Sequence, residues 1–71
     1  MYKPVNWRWL NKNLAALRED EVEDLLGKEI VSECRLAIVV RLHQRLSVLR
    51  AARERRELLE QIAKVNPAND H

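Results

Sequence analysis

The residues of this 71-residue chain that could carry out chemistry are few and lie far apart. Cys34 is the single cysteine, and His43 and His71 are the two histidines. A structural zinc site takes about four Cys or His ligands at short spacings, which this set does not supply. No nucleophile or pair of carboxylates stands where His43 could serve it as a base. The sequence therefore predicts no enzyme, no metal site and no cofactor.

The same residues have ordinary structural interpretations. We interpret Cys34 as a small buried residue rather than a reactive thiol, and His43 as a solvated residue of a helix. Trp7 is expected in the core. Trp9 follows Arg8, and it is either a core residue or an exposed side chain of the type that anchors an interface.

Arginine is the remaining residue type that could act, and it is concentrated in the second half of the chain. Residues 1–34 carry five basic and seven acidic side chains, whereas residues 35–64 carry eight basic and three acidic ones. An acidic first half followed by a basic helix allows attraction between the halves. It also allows binding to nucleic acid or to an acidic protein surface.

Helical spacing divides these arginines into two groups. The first group has a glutamate four residues later, in the pairs Arg50–Glu54, Arg53–Glu57 and Arg56–Glu60. The second group has no such acid, and its members lie within about 80° of one another around a helix: Arg41, Arg45 and Arg55. This second group either pairs with acids of the preceding helix (Glu19, Asp20, Glu23 or Asp24) or binds another molecule. The predicted partner-binding residues are Arg41, Arg45, Arg53, Arg55, Arg56 and Trp9.

Three helices must position these side chains, so the predicted fold is all-α. A first helix over residues 7–17 has Asn6 as its N-cap. A second begins at residues 19–21, with Asp20 and Glu23 as a capping box. We predict that it ends in a turn near residues 31–34, although the sequence also allows an unbroken helix through this region. Gly27 would let another helix approach closely. The third helix is predicted over residues 35–64.

Apolar spacing predicts the buried face of each helix. The first helix has Trp7, Leu10, Leu14 and Leu17, and the second has Val22, Leu25, Leu26 and Ile30. The third has Ile38, Leu42, Leu46 and Leu49, widened by Leu36 and Val39.

The predicted helices differ in length, and this bears on association. The third helix is about 45 Å long, whereas the second is about 21 Å and covers only half of it. Leu58, Leu59 and Ile62 are therefore predicted to form a seam with a partner or with a second copy in a homodimer. Residues 1–65 are predicted to be a single helical domain, and residues 66–71 a flexible tail that starts at the helix-ending Asn66-Pro67. No apolar run suits a membrane span.

The chain also resembles a group of small, mostly uncharacterised proteins of tailed bacteriophages. The resemblance covers about residues 17–60 and rests on the sequences EVEDLL at 21–26, RLHQR at 41–45, LRAARER at 49–55 and ELL at 57–59. It implies a phage origin and a setting in the host cytoplasm. Short phage proteins of this kind generally bind host RNA polymerase, nucleases, defence complexes or DNA.

Three functional hypotheses follow. The first is a phage regulator that binds a host protein, with the transcription machinery as the expected target. The second is a nucleic-acid-binding dimer that uses the third helix, although Glu54, Glu57 and Glu60 would repel phosphates. The third is a purely structural homodimer.

Overall fold

The computed structural model describes residues 4–65, and within them the chain forms helices and turns without strands. Helix α1 spans Trp7–Asn13 and is followed by a 3-10 turn at Leu14–Ala16; α2 spans Glu19–Val31 and α3 spans Leu36–Val65. The predicted all-α fold, a short first helix and a hairpin with a long last helix, is confirmed for this part of the chain. The predicted tail, with the helix end at Asn66-Pro67, lies outside the described residues.

Helix α1 begins as predicted and ends earlier. The Asn6 side-chain oxygen accepts a hydrogen bond from the Trp9 backbone N–H at 2.7 Å, which caps the helix. The Asn13 side-chain amide donates to the Trp9 carbonyl at 2.8 Å. A side-chain bond of this kind competes with the helical pattern, and the chain tightens into the 3-10 turn. The prediction of one helix through residue 17 was therefore wrong at its end.

Helix α2 begins at Glu19, within the predicted range of residues 19–21, but its capping residues differ from the predicted ones. The Arg18 backbone N–H donates to the Glu21 carboxylate at 2.9 Å, and the Glu21 N–H donates to the Asp20 carboxylate at 3.0 Å. The capping glutamate is thus Glu21, and the predicted pair of Asp20 with Glu23 was wrong. The chain is extended at Arg18, which makes Glu21 the third helical residue.

A turn separates α2 from α3, as predicted, and Cys34 closes it. Cys34 has a φ of 48°, in the left-handed region, and its N–H donates to the Glu29 carbonyl at 2.7 Å. This hydrogen bond satisfies one of the last carbonyls of α2, which have no partner within the helix. The prediction that Cys34 is buried was wrong, because the turn directs it to solvent.

The core forms where the three helices meet. Its buried members are Leu10, Leu14, Val22, Ile38, Leu42 and Leu46, and Leu49 packs against them. The predicted face of α3 is confirmed at these positions, except that Leu36, at the first turn of the helix, is exposed. Ile30 is also exposed, contrary to the prediction. Helical geometry places Glu29, seven residues after Val22, on the buried side instead.

Candidate functional site

A buried ion pair fixes the corner between α2 and α3. The Glu29 side chain is 0% exposed. Its carboxylate accepts hydrogen bonds from the Arg35 Nε and Nη2 atoms, each at 2.8 Å, and from the Arg35 backbone N–H at 3.1 Å. Arg35 Nη2 also donates to the Val5 carbonyl at 2.6 Å. This cluster ties the N-terminal segment to the hairpin, and its role is structural.

Two arginines of α3 hold the hairpin together by bonding to acids of α2. Arg50 Nη2 lies 3.2 Å from Glu23 Oε2, and Arg53 Nε lies 2.8 Å from Glu19 Oε1. Arg53 Nη1 also lies 2.9 Å from Glu57 Oε1. The attraction predicted between the two halves is therefore present.

The arginines that make this attraction differ from the predicted ones. The sequence allowed pairing of Arg41, Arg45 and Arg55 with the acids of α2, but none of these three arginines makes such a pair. Glu23 and Glu19 bond to Arg50 and Arg53 instead. Asp20 and Asp24 bond to Arg18 and Lys28. The spacing also allowed Arg50 to meet Glu54 and Arg56 to meet Glu60, but neither pair forms within residues 4–65. Within residues 4–65 only the pair of Arg53 with Glu57 forms among the three expected along α3.

The pair of Glu19 and Arg53 marks the end of the hairpin. The hydrogen bond from Arg53 lowers the pKa of the Glu19 carboxyl, and the same bond raises the pKa of the Arg53 guanidinium. Glu19 is the first residue of α2. No other helix of the described chain is positioned to cover α3 beyond this point.

The remaining predicted arginines fall into two places. Near the start of α3, Arg45 Nη2 donates to the Ala15 carbonyl at 3.2 Å, and Arg45 Nε is buried without a hydrogen-bond partner among residues 4–65. Arg41, one turn earlier, is half-buried. Arg55 and Arg56 lie on the other half of α3, exposed to solvent. The structure therefore does not bring the predicted arginines together into a single site.

The tryptophans lie at the N-terminal end, away from Arg55 and Arg56. Leu10 and Leu14 are the α1 and turn residues that enter the core, and both tryptophans remain outside it. Trp7 is 50% exposed, so the prediction of a core residue was wrong, and Trp9 is 40% exposed. Trp9 is thus the exposed side chain that one of the two interpretations required.

The C-terminal half of α3 is bare of any cover from the described chain. Every residue from 54 to 65 is exposed. The aliphatic side chains there keep large exposed fractions: Leu58 56%, Leu59 59%, Ile62 49% and Val65 79%. The predicted seam residues Leu58, Leu59 and Ile62 are therefore open to solvent, as the length difference between the helices required.

These exposed side chains follow a heptad pattern that the sequence analysis missed. Six residues at alternating spacings of three and four form what we call the C-terminal seam: Val48, Ala51, Arg55, Leu58, Ile62 and Val65. At 3.6 residues per turn the seam lies about 165° around α3 from the buried stripe of the hairpin. The seam is therefore visible in the sequence as a heptad repeat that ends at Val65, although it does not continue the buried stripe of the hairpin.

Arg55 lies in the middle of the seam. It has no ion pair or hydrogen bond within residues 4–65, and the seam residues on either side of it, Ala51 and Leu58, are apolar. Shallow grooves flank it, one lined by Leu59 and Ala63 among others, and one by Leu58 and Ile62 among others. The arrangement is an apolar strip about 27 Å long, with one cation at its centre.

The comparisons with other proteins add no family. No protein-family model, curated protein or solved structure matches the chain.

Within residues 4–65, the Cys, His, Asp and Glu side chains form no group of three or more that could hold a metal ion. None of the helices in that range has an apolar stretch long enough to cross a membrane.

Proposed function

We propose that this chain is a phage-encoded regulator that acts by binding a host protein, and that the C-terminal half of α3 is its docking surface. The observation that carries the proposal is the exposure of every residue from 54 to 65, including four large aliphatic side chains. Isolated apolar side chains are common on protein surfaces, but a contiguous apolar strip is typical of an interaction site.

The hairpin gives this surface a defined direction. Glu29 with Arg35 fixes the corner, and Glu19 with Arg53 fixes the far end of α2 against α3. Because the hairpin fixes the N-terminal half of α3, the exposed C-terminal half extends in a fixed direction and can bind in a groove of a partner protein. Partner proteins commonly bind such amphipathic helices through residues at spacings of three, four and seven.

The charges of the free half favour a protein over nucleic acid. Arg55 and Arg56 are exposed there, but so are Glu54, Glu57 and Glu60. Acids interleaved at this density repel phosphates and weaken binding to a nucleic-acid backbone. On a protein partner, by contrast, the aliphatic side chains supply the buried area and the arginines meet carboxylates at its edge.

The biological setting of the proposal comes from the resemblance to small tailed-phage proteins. Proteins of that kind generally act on host machinery, which makes host RNA polymerase the first partner to examine. The resemblance assigns no particular residue to the contact. The residues proposed for docking, Leu58, Leu59 and Ile62, come from their exposure.

Site-specific crosslinking to purified bacterial RNA polymerase, and then to a bacterial lysate, tests the proposal. A photoreactive amino acid at Leu59 should crosslink to one reproducible host protein, which its mass distinguishes from a product with a second copy of this chain. Combining Leu58→Asp with Ile62→Asp should reduce that product at least tenfold, because two carboxylates would be buried in an apolar contact.

The matched control is Leu36→Asp, an exposed leucine at the opposite end of the same helix. This variant should crosslink as well as the wild type does. Equal capture by the Leu58→Asp/Ile62→Asp variant, or loss of capture by Leu36→Asp alone, would contradict the proposal. Competition by duplex DNA that is relieved by salt would favour the nucleic-acid alternative instead.

A further inference from the structure

The C-terminal seam is self-complementary when two copies are placed antiparallel. In a heptad seam the residues at positions a and d alternate, and antiparallel pairing sets each a residue opposite a d residue of the other helix. Val48, Arg55 and Ile62 take the a positions, and Ala51, Leu58 and Val65 take the d positions. One register then uses all six residues. It sets Val48 opposite the partner's Val65, Ala51 opposite the partner's Ile62, and Arg55 opposite the partner's Leu58.

Side-chain size supports this register. The smallest residue of the seam, Ala51, meets the β-branched Ile62, and the two valines meet each other at the ends. Large residues opposite small ones fill the space between two helices without voids. The register forms six layers over about 27 Å of helix, and four of them pair apolar residues only.

The charge of Arg55 disfavours a parallel pair. An in-register parallel dimer sets a opposite a, so the two Arg55 side chains would meet in the middle of the seam, where like charges repel. In the antiparallel pair the two Arg55 side chains lie in neighbouring layers rather than in the same one, and each packs against the aliphatic Leu58 of the other copy. Its guanidinium can then extend along the helix to the solvent at the edge of the interface.

The two edges of the seam favour the same orientation. Ala52 and Leu59 flank the seam on one side, and Glu54 and Gln61 flank it on the other. In an antiparallel pair each edge of one helix lies against the same edge of the other helix. Ala52 then lies near the partner's Leu59, and the Gln61 amide can donate to the partner's Glu54. A parallel pair would instead set Leu59 against Glu54.

The hairpin does not obstruct this contact. The seam lies about 165° around α3 from the stripe that packs on α2 and the N-terminal segment. Val48 is exposed although it lies within the half of α3 that the hairpin covers. A second α3 can therefore lie along residues 48–65 while both hairpins remain intact.

From these observations we infer that the occupant of the C-terminal seam in the free protein is a second copy of this chain, in antiparallel orientation with the register given above. The inference uses the same surface as the proposed function, so a host protein that docks there displaces the second copy. It does not depend on the identity of the host protein.

Disulfide trapping tests the orientation and the register together. In a Cys34→Ser background, one chain carries Val48→Cys and another carries Val65→Cys. Mild oxidation of the mixture should give the disulfide between the two different chains, and each chain alone should give little. Disulfides between two copies of the same variant would show parallel pairing, and they would overturn the inference.

Sedimentation equilibrium supplies a second measurement that does not depend on cysteine. The wild type should associate to a dimer, and Arg55→Leu should tighten the dimer by about tenfold or more because a charge leaves the apolar seam. Arg55→Lys keeps the charge and should leave the association within about threefold. Equal tightening by both variants would contradict the placement of the Arg55 charge in the dimer seam and would overturn the inferred register.

The two proposals can fail separately. A chain that remains monomeric at about 100 µM, far above the concentrations at which specific dimers form, would overturn this inference. Host-protein capture through Leu58 and Ile62 would still stand in that case. A trapped antiparallel dimer with no captured host protein would support this inference and leave the proposed function contradicted.

Discussion

At the scale of single residues, a buried ion pair fixes the corner of the hairpin. Glu29 is fully buried because it lies on the same face of α2 as Val22, although its charge alone would favour exposure. Its partner, Arg35, lies six residues away across a turn and also reaches Val5. A buried carboxylate requires such partners, because an unpaired charge in the interior is strongly unfavourable.

Glu29→Gln should therefore lower the free energy of unfolding by about 1–3 kcal/mol, since it removes the charge from three hydrogen bonds to Arg35. We place the value below that of a fully buried pair because the Arg35 side chain is partly exposed. Urea denaturation measures it. Glu54→Gln, at an exposed position, is the control and should stay within about 0.5 kcal/mol of the wild type. Equal stability of the two variants would contradict the structural role of Glu29.

The pair of Glu19 and Arg53 gives the stability a pH dependence. The hydrogen bond from Arg53 lowers the pKa of Glu19, so the folded chain holds a proton there less readily than the unfolded chain does. The stabilisation is complete above the ordinary glutamate pKa and is lost as the pH falls through the lowered value.

Between about pH 5 and pH 3 the stability of the wild type should fall more steeply than that of Glu19→Gln, because the variant has no carboxyl group to protonate at this position. Thermal unfolding across that range provides the measurement. Glu54→Gln should retain the slope of the wild type. Parallel curves for the wild type and Glu19→Gln would exclude the effect.

At the scale of elements, periodicity alone predicted most of the architecture. The three helices, the turn before α3 and the buried stripe of Ile38, Leu42 and Leu46 all follow from apolar spacing at 3.6 residues per turn. These features depend on which residues lie on one face, and that information is local. The Asn6 cap is also local, since it joins residues three apart.

The features that were missed depend on contacts between elements. Arg50 and Arg53 bond to Glu23 and Glu19 of α2, and no spacing along the sequence predicts these contacts. Trp7 shares the apolar spacing of Leu10 but lies outside the contact with α3. The heptads of the C-terminal seam were detectable from the sequence, although their separation from the buried stripe required the position of α2.

A substitution at Gly27 tests whether another helix packs against α2 at this position. The sequence suggested that this glycine permits close approach of another helix. Apart from its chain neighbours and the adjacent backbone of α2, however, no atom lies within 4 Å of where its Cβ would be. Gly27→Ala should therefore raise the free energy of unfolding by about 0.5–1 kcal/mol, because alanine favours the helix and meets no obstacle. Chemical denaturation gives the value. Destabilisation would show that the space is needed by something else, such as a partner helix.

At the scale of the whole molecule, the structure is an elongated hairpin with one helix left half covered. Its principal extents are 51 × 22 × 20 Å, and the long dimension is that of α3. An uncovered helical half of this length is marginally stable in water by itself, because helices of about 12–15 residues or fewer gain most of their stability from packing. We therefore propose that association with a second copy or a docking partner is what makes residues 54–65 well ordered.

Amide hydrogen exchange at two protein concentrations tests this central claim most directly. At about 1 µM, residues 54–65 should exchange much faster than residues 38–49, which are held by the hairpin core. At about 500 µM, or with a saturating docking partner, exchange at 54–65 should slow selectively while 38–49 stays unchanged. Equal protection of both segments at the low concentration, or no slowing at 54–65 under either condition, would contradict the account.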